Sequence, residues 1–180
     1  MNKNILLSIV ILLASCSQSN IIYNPAAQIL PQHIKSIFVK PFSNKTSIFA
    51  IEEKLTLKII DEFVRNGHYN ISNLENADGI LEGEIKNYIM IPIQYDANMV
   101  PTLYKITMYY SIRMIDKKNN TILWEEDNLV ANQIYSAPTL SGGMNEEMAR
   151  EKLWDIIAKD VVKRTVEGFG SVTGVSNKKI

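Results

Sequence analysis

Few residues in this 180-residue chain are placed for covalent chemistry, and the clearest is Cys16, the single cysteine. It closes the tetrapeptide Leu13-Ala14-Ser15-Cys16, which resembles a lipobox, where a diacylglycerol is joined to the thiol and the chain is cut just before it. Residues 1–15 have the layout of an export signal: a basic start ending at Lys3, an apolar run over 5–13, then small residues. That run is too short to span a bilayer. An ordinary secretory signal or a chance cysteine is the alternative, but the only thiol stands where acylation requires one, and no disulfide within the chain is possible. Several acyl chains, each contributing roughly 0.8 kcal/mol per buried methylene, make the anchoring effectively permanent. Ser17, where sorting of the enterobacterial kind uses Asp for inner-membrane retention, points to the periplasmic side of the outer membrane.

The rest of the inventory is poor in catalytic groups. The two histidines, His33 and His68, lie within metal-ligand spacing of neither a cysteine nor each other. Glu125-Glu126-Asp127 is a run of acids on a strand, so successive carboxylates point to opposite faces and do not converge on a cation. Gly142-Gly143 is a loop pair, and the chain has neither a glycine-rich phosphate loop nor a nucleophile elbow. No catalytic residue, metal site or cofactor is expected, and the protein is read as a non-enzyme. Nineteen basic residues against nineteen acidic ones, about minus one once Lys3 is removed, do not suit a nucleic-acid partner. Binding or assembly is left.

The elements that would carry such a role follow from periodicity. Residues 16–33, with Pro25 and Pro31 and no sustained period, read as a lipidated linker. A short strand over 34–42 ends at Pro41-Phe42, and Ser43, Asn44, Thr46 and Ser47 offer a helix cap. Over 50–66 apolar residues including Ile51, Leu55, Ile59, Phe63 and Val64 recur at three and four, predicting an amphipathic helix stopped by Gly67. A brief extended piece follows at 69–72. Three long antiparallel strands then occupy 77–135. In the first, Leu81, Ile85, Ile89, Ile91 and Ile93 share one face. In the second, Ile106, Met108, Tyr110, Ile112 and Met114 do so, opposite Lys105, Thr107, Tyr109, Ser111 and Arg113. A turn centred near Ala97 and Asn98 pairs Met90 with Lys105, Lys86 with Tyr109, and Glu82 or Glu84 with Arg113. The third strand carries Ile122 and Trp124 inward and a bulge at the acid run. A final helix over 146–169, capped by Asn145, precedes a tail at 171–180 that looks frayed. The expectation is a single α+β domain over 34–170, two amphipathic helices on one face of a mixed, mainly antiparallel four- to five-stranded sheet, its other face open and polar.

Taken in order, the strand and turn over 34–46, the amphipathic helix, Ala77-Asp78-Gly79 leading into the first long strand, the tip Tyr95-Asp96-Ala97-Asn98, and Ile122-Leu123-Trp124-Glu125-Glu126 resemble the lipopolysaccharide-assembly lipoproteins of the LptE family. Met99-Val100-Pro101 departs from that pattern, where a Gly and a basic residue would be expected. The resemblance implies an outer-membrane lipoprotein that plugs a large β-barrel, LptD, and aids its assembly while lipopolysaccharide passes to the cell surface. It implies a barrel-contacting loop at Tyr95, Asp96 and Asn98. Lys86, Lys105 and Arg113 on the open face become candidates for lipopolysaccharide phosphates, against the plainer reading of cross-strand pairs. The rival is an envelope lipoprotein of the curli-secretion or penicillin-binding-protein-activator type, a pore subunit or an enzyme regulator.

Overall fold

Three strands of sixteen or seventeen residues dominate the architecture. The structure is a computed structural model describing residues 30–168 and the backbone of Lys178 and Lys179. In chain order the elements are β1 Ser36–Val39, β2 Ser43–Asn44, α1 Ile51–Asn66, β3 Asn70–Ile71, β4 Gly79–Tyr95, β5 Pro101–Asp116, β6 Thr121–Ser136, α2 Glu146–Glu167 and β7 Lys178–Lys179. The sheet runs β3-β1-β4-β5-β6-β7, with β2 pairing β4 beyond the end of β1. β1, β2 and β3 pair in parallel and the meander β4-β5-β6 is antiparallel, so the sheet is mixed and the class α+β, as expected. The described residues give seven strands rather than four or five, because three of the pairings are only two residues long. Cys16 and the 1–15 signal lie outside the described residues, as does most of the tail, although Lys178–Lys179 pair with Thr121 and Ile122.

Both helices cover one face of this sheet. Leu81, Ile85, Ile106, Met108, Tyr110, Ile112 and Met114 form one buried cluster with Leu55, Ile59 and Phe63 of α1 and Leu153, Trp154, Ile157 and Val161 of α2. Each such side chain contributes roughly 1.5–3 kcal/mol before the ordering cost is subtracted. The helices join through their exposed flanks as well, Lys54 with Glu147 at 2.9 Å and Lys58 with Asp155 at 3.0 Å. Asn145 caps α2 as its position suggests, its side-chain oxygen accepting from the Met148 N–H at 2.8 Å.

The start of α1 differs from expectation. None of Ser43, Asn44, Thr46 or Ser47 caps it; the capping position is Ala50, at φ 58 and without a side-chain bond. Asn44 is engaged within the loop instead, its amide donating to the Ile48 carbonyl and to the Glu52 carboxylate, both at 2.8 Å. At the other end Gly67, at φ 70, closes the helix by donating to the Phe63 carbonyl, the left-handed geometry that favours glycine. Val64, counted on the apolar stripe, is 66% exposed.

Packing against the core reaches back into the segment before residue 34. Leu30 and Ile34 are buried, and His33 Nε2 lies 2.9 Å from the carboxylate of the buried Asp116. That carboxylate also accepts from the Lys118 N–H and from the Asn119 N–H and amide, organising the β5–β6 turn. Burial pushes the Asp116 carboxyl up, but the Asn119 bonds and the His33 contact outweigh it and hold it below its ordinary value.

Register is where the long strands depart most from a simple reading. Between Gly79 and Ile85 the pairing is as expected, with Glu82 opposite Arg113. Lys86 is then left out of the ladder, and the pairs from Asn87 to Pro92 shift by one: Asn87 pairs Tyr109, Met90 pairs Ile106, and Ile91 pairs Lys105, before two further irregularities near the tip. A one-residue bulge sends the following side chains to the opposite face. Ile89 and Ile91 therefore turn to the uncovered face, 39% and 48% exposed, while Tyr88 packs against the helix-side core; Ile93, 42% exposed, is left out of the ladder at a second irregularity. The bulge expected near the acid run of β6 is present, where Ile112 pairs Glu126 but Tyr110 pairs Leu129.

Candidate functional site

The uncovered sheet face is divided along its length. Its half nearest β1 and β2 is charged. Glu82 accepts from Lys40 Nζ at 2.7 Å and Arg113 Nε at 2.8 Å, while Lys86 Nζ donates to the Asp127 carbonyl. Burial pushes the Glu82 carboxyl up, yet the bonds from Lys40 and Arg113 prevail and hold it below its ordinary value. These residues line a cleft of about 400 Å³ together with Glu84 and Glu125. Its charges largely balance, so the cleft is a network of cross-strand and loop-to-strand pairs more than a cationic pocket.

Beyond the Lys86 bulge the face changes character. From 87 to 112 the only charged residues are Asp96 and Lys105, and from 128 to 145 there are none. The outward row of β4 is Asn87, Ile89 and Ile91; of β5, Tyr109, Thr107, Lys105 and Leu103; of β6, Val130, Asn132 and Ile134. Ile91, Val130 and Ile134 are each about half exposed. The face expected to be polar throughout thus exposes isoleucine and valine side chains in its distal half, among Asn87, Lys105 and a Thr107–Asn132 hydrogen bond. Among the described residues, β4 beyond Ile85 and β6 beyond Ile122 have β5 as their sole strand neighbour, so each keeps an open edge.

The strand tip stands at the far end of the meander from His33 and Asp116. Asp96 serves the turn itself, its carboxylate accepting from the Asn98 and Val100 N–H groups at 2.8 and 2.9 Å. Met99 takes φ 61 to close it. Tyr95, Asp96 and Asn98 are exposed there together with Met99 and Val100.

Of the three basic candidates, Lys86 and Arg113 share the charged cleft and Lys105 does not. Eight residues of one strand separate Lys105 from Arg113, roughly 26 Å at strand rise, so the three do not converge on a single phosphate. His68 lies at the end of α1 with its ring edge-on to Tyr69, and among the described residues no group of three metal-ligating side chains comes together. No described helix is long and apolar enough to cross a membrane. The outward isoleucines were missed by sequence reasoning. The signal lay in residues 88–93, where Tyr88, Ile89, Met90, Ile91, Pro92 and Ile93 are all apolar and alternation carries no information about facing.

Comparison with known proteins fits this architecture. The protein CT253 of Chlamydia trachomatis superposes with a TM-score of 0.52 at 9% identity, over 73% of this chain and 95% of that one, a likeness of fold alone. A minor lipoprotein of Acinetobacter baumannii (TM-score 0.47, 13% identity, 73% and 91% of the two chains) and lipoprotein GNA1162 of Neisseria meningitidis (0.42, 13%, 71% and 98%) are similar more distantly. No curated protein matches the sequence. The family model described as LptE, lipopolysaccharide-assembly, matches residues 34–165, which takes in every element from β1 to most of α2. The chain belongs to the LptE family of lipopolysaccharide-assembly proteins.

Proposed function

We propose that this protein is the lipoprotein subunit of an outer-membrane lipopolysaccharide translocon. It is tethered through a diacylated Cys16 on the periplasmic side and seats within the β-barrel LptD as a plug and assembly aid. The family match over 34–165 carries the proposal. The layout of the domain supports it. Two helices close one sheet face and leave the other uncovered, and the N-terminal segment is fixed by His33 and Asp116 at the end opposite the Tyr95-Asp96-Asn98 tip. A tethered domain of that kind offers its open face and tip to a partner. The charged half of the face suits the polar, wet interior of a large barrel. Lys86, Lys105 and Arg113 are the residues proposed to meet lipopolysaccharide phosphates, Lys86 and Arg113 by exchanging their present partners.

Isolation of the tagged lipoprotein from detergent-solubilised envelopes tests this directly. A large barrel protein should co-purify in equal amount. Recovery of a peptidoglycan synthase alone, or of a ring of the lipoprotein itself, would replace the proposal with an enzyme-regulator or secretion-pore role.

A further inference from the structure

Charge is spread unevenly along the length of the meander. The tip end, residues 93–103 with the segment 136–146 bonded to it through Ala137 and Thr102, holds Asp96 and Glu146 and neither lysine nor arginine. The opposite end gathers five lysines from three segments. Lys35 comes from the N-terminal segment, Lys117 and Lys118 from the β5–β6 turn, and Lys178 and Lys179 from β7, whose backbone pairs Ile122 and Thr121 beside that turn. The acids of this end are Glu75, Asp78 and Asp116, and two of them are engaged by the fold itself. Asp78 accepts from the N–H groups of Lys35 and Ser36 at 3.0 and 2.9 Å, and Asp116 is buried against His33 and the turn. Lys117 ties the segments into one surface, its Nζ donating to the Leu74 and Glu75 carbonyls and its N–H to the Asp78 carbonyl. Lys35 and Lys118 are exposed and make no ion pair among the described residues. This is also the end at which the chain leaves for Cys16: Leu30 is buried here beside the His33–Asp116 contact, and thirteen residues, 17–29, separate it from Cys16. From this we infer that the five-lysine end is a docking surface for the anionic phospholipid headgroups of the leaflet that holds the anchor. That contact sets the long axis of the domain against the membrane, with the tip directed away from it.

Tethering is what makes so modest a patch sufficient. Thirteen residues span at most about 45 Å when fully extended, so the basic end is held near the headgroups at an effective concentration on the order of millimolar. Each lysine close to an anionic surface then raises the time spent there about fivefold. The tip lies roughly 55 Å farther along β4 at strand rise, and its Asp96 and Glu146 are repelled by the same surface. A free acidic protein would have to displace a surface already held at that local concentration. A second copy meeting this end would oppose like charges. Lysine, a hydrated point charge on a flexible stem, suits diffuse contact with headgroups better than the planar, bidentate recognition for which arginine is used. The contact stays at headgroup level, so no backbone group has to enter hydrocarbon.

This inference rests on the proposed acylation of Cys16 and is independent of the barrel partnership. Acylation leaves Cys16 without a free thiol, so an introduced cysteine is the one that takes a label. The full-length lipoprotein carries a fluorophore through Leu74→Cys, an exposed position at the basic end, or through Asn98→Cys at the tip. Each is reconstituted in phosphatidylcholine vesicles with or without phosphatidylglycerol, all containing a lipid that bears a nitroxide quencher on its headgroup. The expected result is strong quenching at position 74 with phosphatidylglycerol, and little at position 98 under any condition. Quenching at 74 should be at least about threefold weaker without the anionic lipid, or in about 1 M salt, where the screening length is about 3 Å. Replacing Lys35, Lys118, Lys178 and Lys179 together by Gln should lower it to the phosphatidylcholine level, and Arg at the same four positions should preserve it. A circular dichroism melt checks that the Gln variant is folded, and the lipid and salt comparisons need no change of charge. Quenching at 74 that ignores phosphatidylglycerol, salt and the Gln replacements, or equal quenching at 74 and 98, would overturn the inference. Those results from an acylated protein leave the lipoprotein role standing, whereas a Cys16 found unacylated by mass spectrometry overturns both.

Discussion

Phe63 and Val64 are sequence neighbours on α1 that periodicity places on one stripe, and they should respond oppositely to truncation. Phe63 is 0% exposed, within the cluster that joins α1 to the sheet and α2. Cutting it to Ala removes a buried ring and leaves a cavity between three elements, a loss of about 3–5 kcal/mol. For a domain of this size, with a melting shift of roughly 3–4 °C per kcal/mol, Tm should fall by about 10–20 °C. Val64 is 66% exposed. Its replacement by Ala removes little buried area and gains up to about 0.5 kcal/mol of helix propensity, so the net change should stay within about 0.5 kcal/mol. Urea unfolding followed by circular dichroism gives both values, and an unchanged m-value would show that the denatured state is not the source. A Phe63→Ala protein as stable as the parent, or a Val64→Ala protein as damaged as Phe63→Ala, would refute the assignment of the α1 inner face.

Three further outcomes follow from the same packing. Asp116 has its folded-state pKa lowered, so its contribution is fully present above its ordinary value near 4 and is lost as pH falls through the lower folded value. Stability measured from pH 7 to pH 2.5 should therefore decline below about pH 4, with a shallower decline in Asp116→Asn from a lower starting level. Gly83 lies beneath the buried Phe42 ring, and an added Cβ would come within 2.1 Å of it, so Gly83→Ala should cost about 1–3 kcal/mol in urea unfolding. Asn145→Ala removes the α2 cap bond to Met148 and should cost about 1 kcal/mol in the same assay, largely restored by Asp or Ser at that position.

The sequence made the element order and the helix-side core legible, because those rest on long, regular periods. Ile106 to Met114 alternate without interruption and are all buried on one face, and Asn145 announces its helix by residue type alone. What it concealed were events one residue long. Alternation assigns Ile89, Ile91 and Ile93 to the core with Leu81 and Ile85, but a residue left out of the ladder at Lys86 reverses the first two and Ile93 is itself left out at a second irregularity. The open face therefore looked uniformly polar, whereas its distal half exposes Ile89, Ile91, Val130 and Ile134 among polar neighbours. Long-range pairings were equally hidden. His33 in a proline-marked segment gives no sign that it reaches Asp116 eighty-three residues away, and Asn44 reads as a helix cap until its amide is seen bonded to Ile48 and Glu52. The site candidates Lys86, Lys105 and Arg113 were found by facing alone, which could not show that two of them are already partnered.

The central claim is that this lipoprotein works in lipopolysaccharide assembly at the outer membrane, in partnership with a barrel. Its most direct test is depletion of the protein in cells, followed by surface labelling of lipopolysaccharide and quantification of the barrel with which it co-purifies. The account predicts that newly made lipopolysaccharide stalls before the cell surface and that the mature barrel falls in parallel. Normal surface lipopolysaccharide with an unchanged barrel after depletion would contradict it.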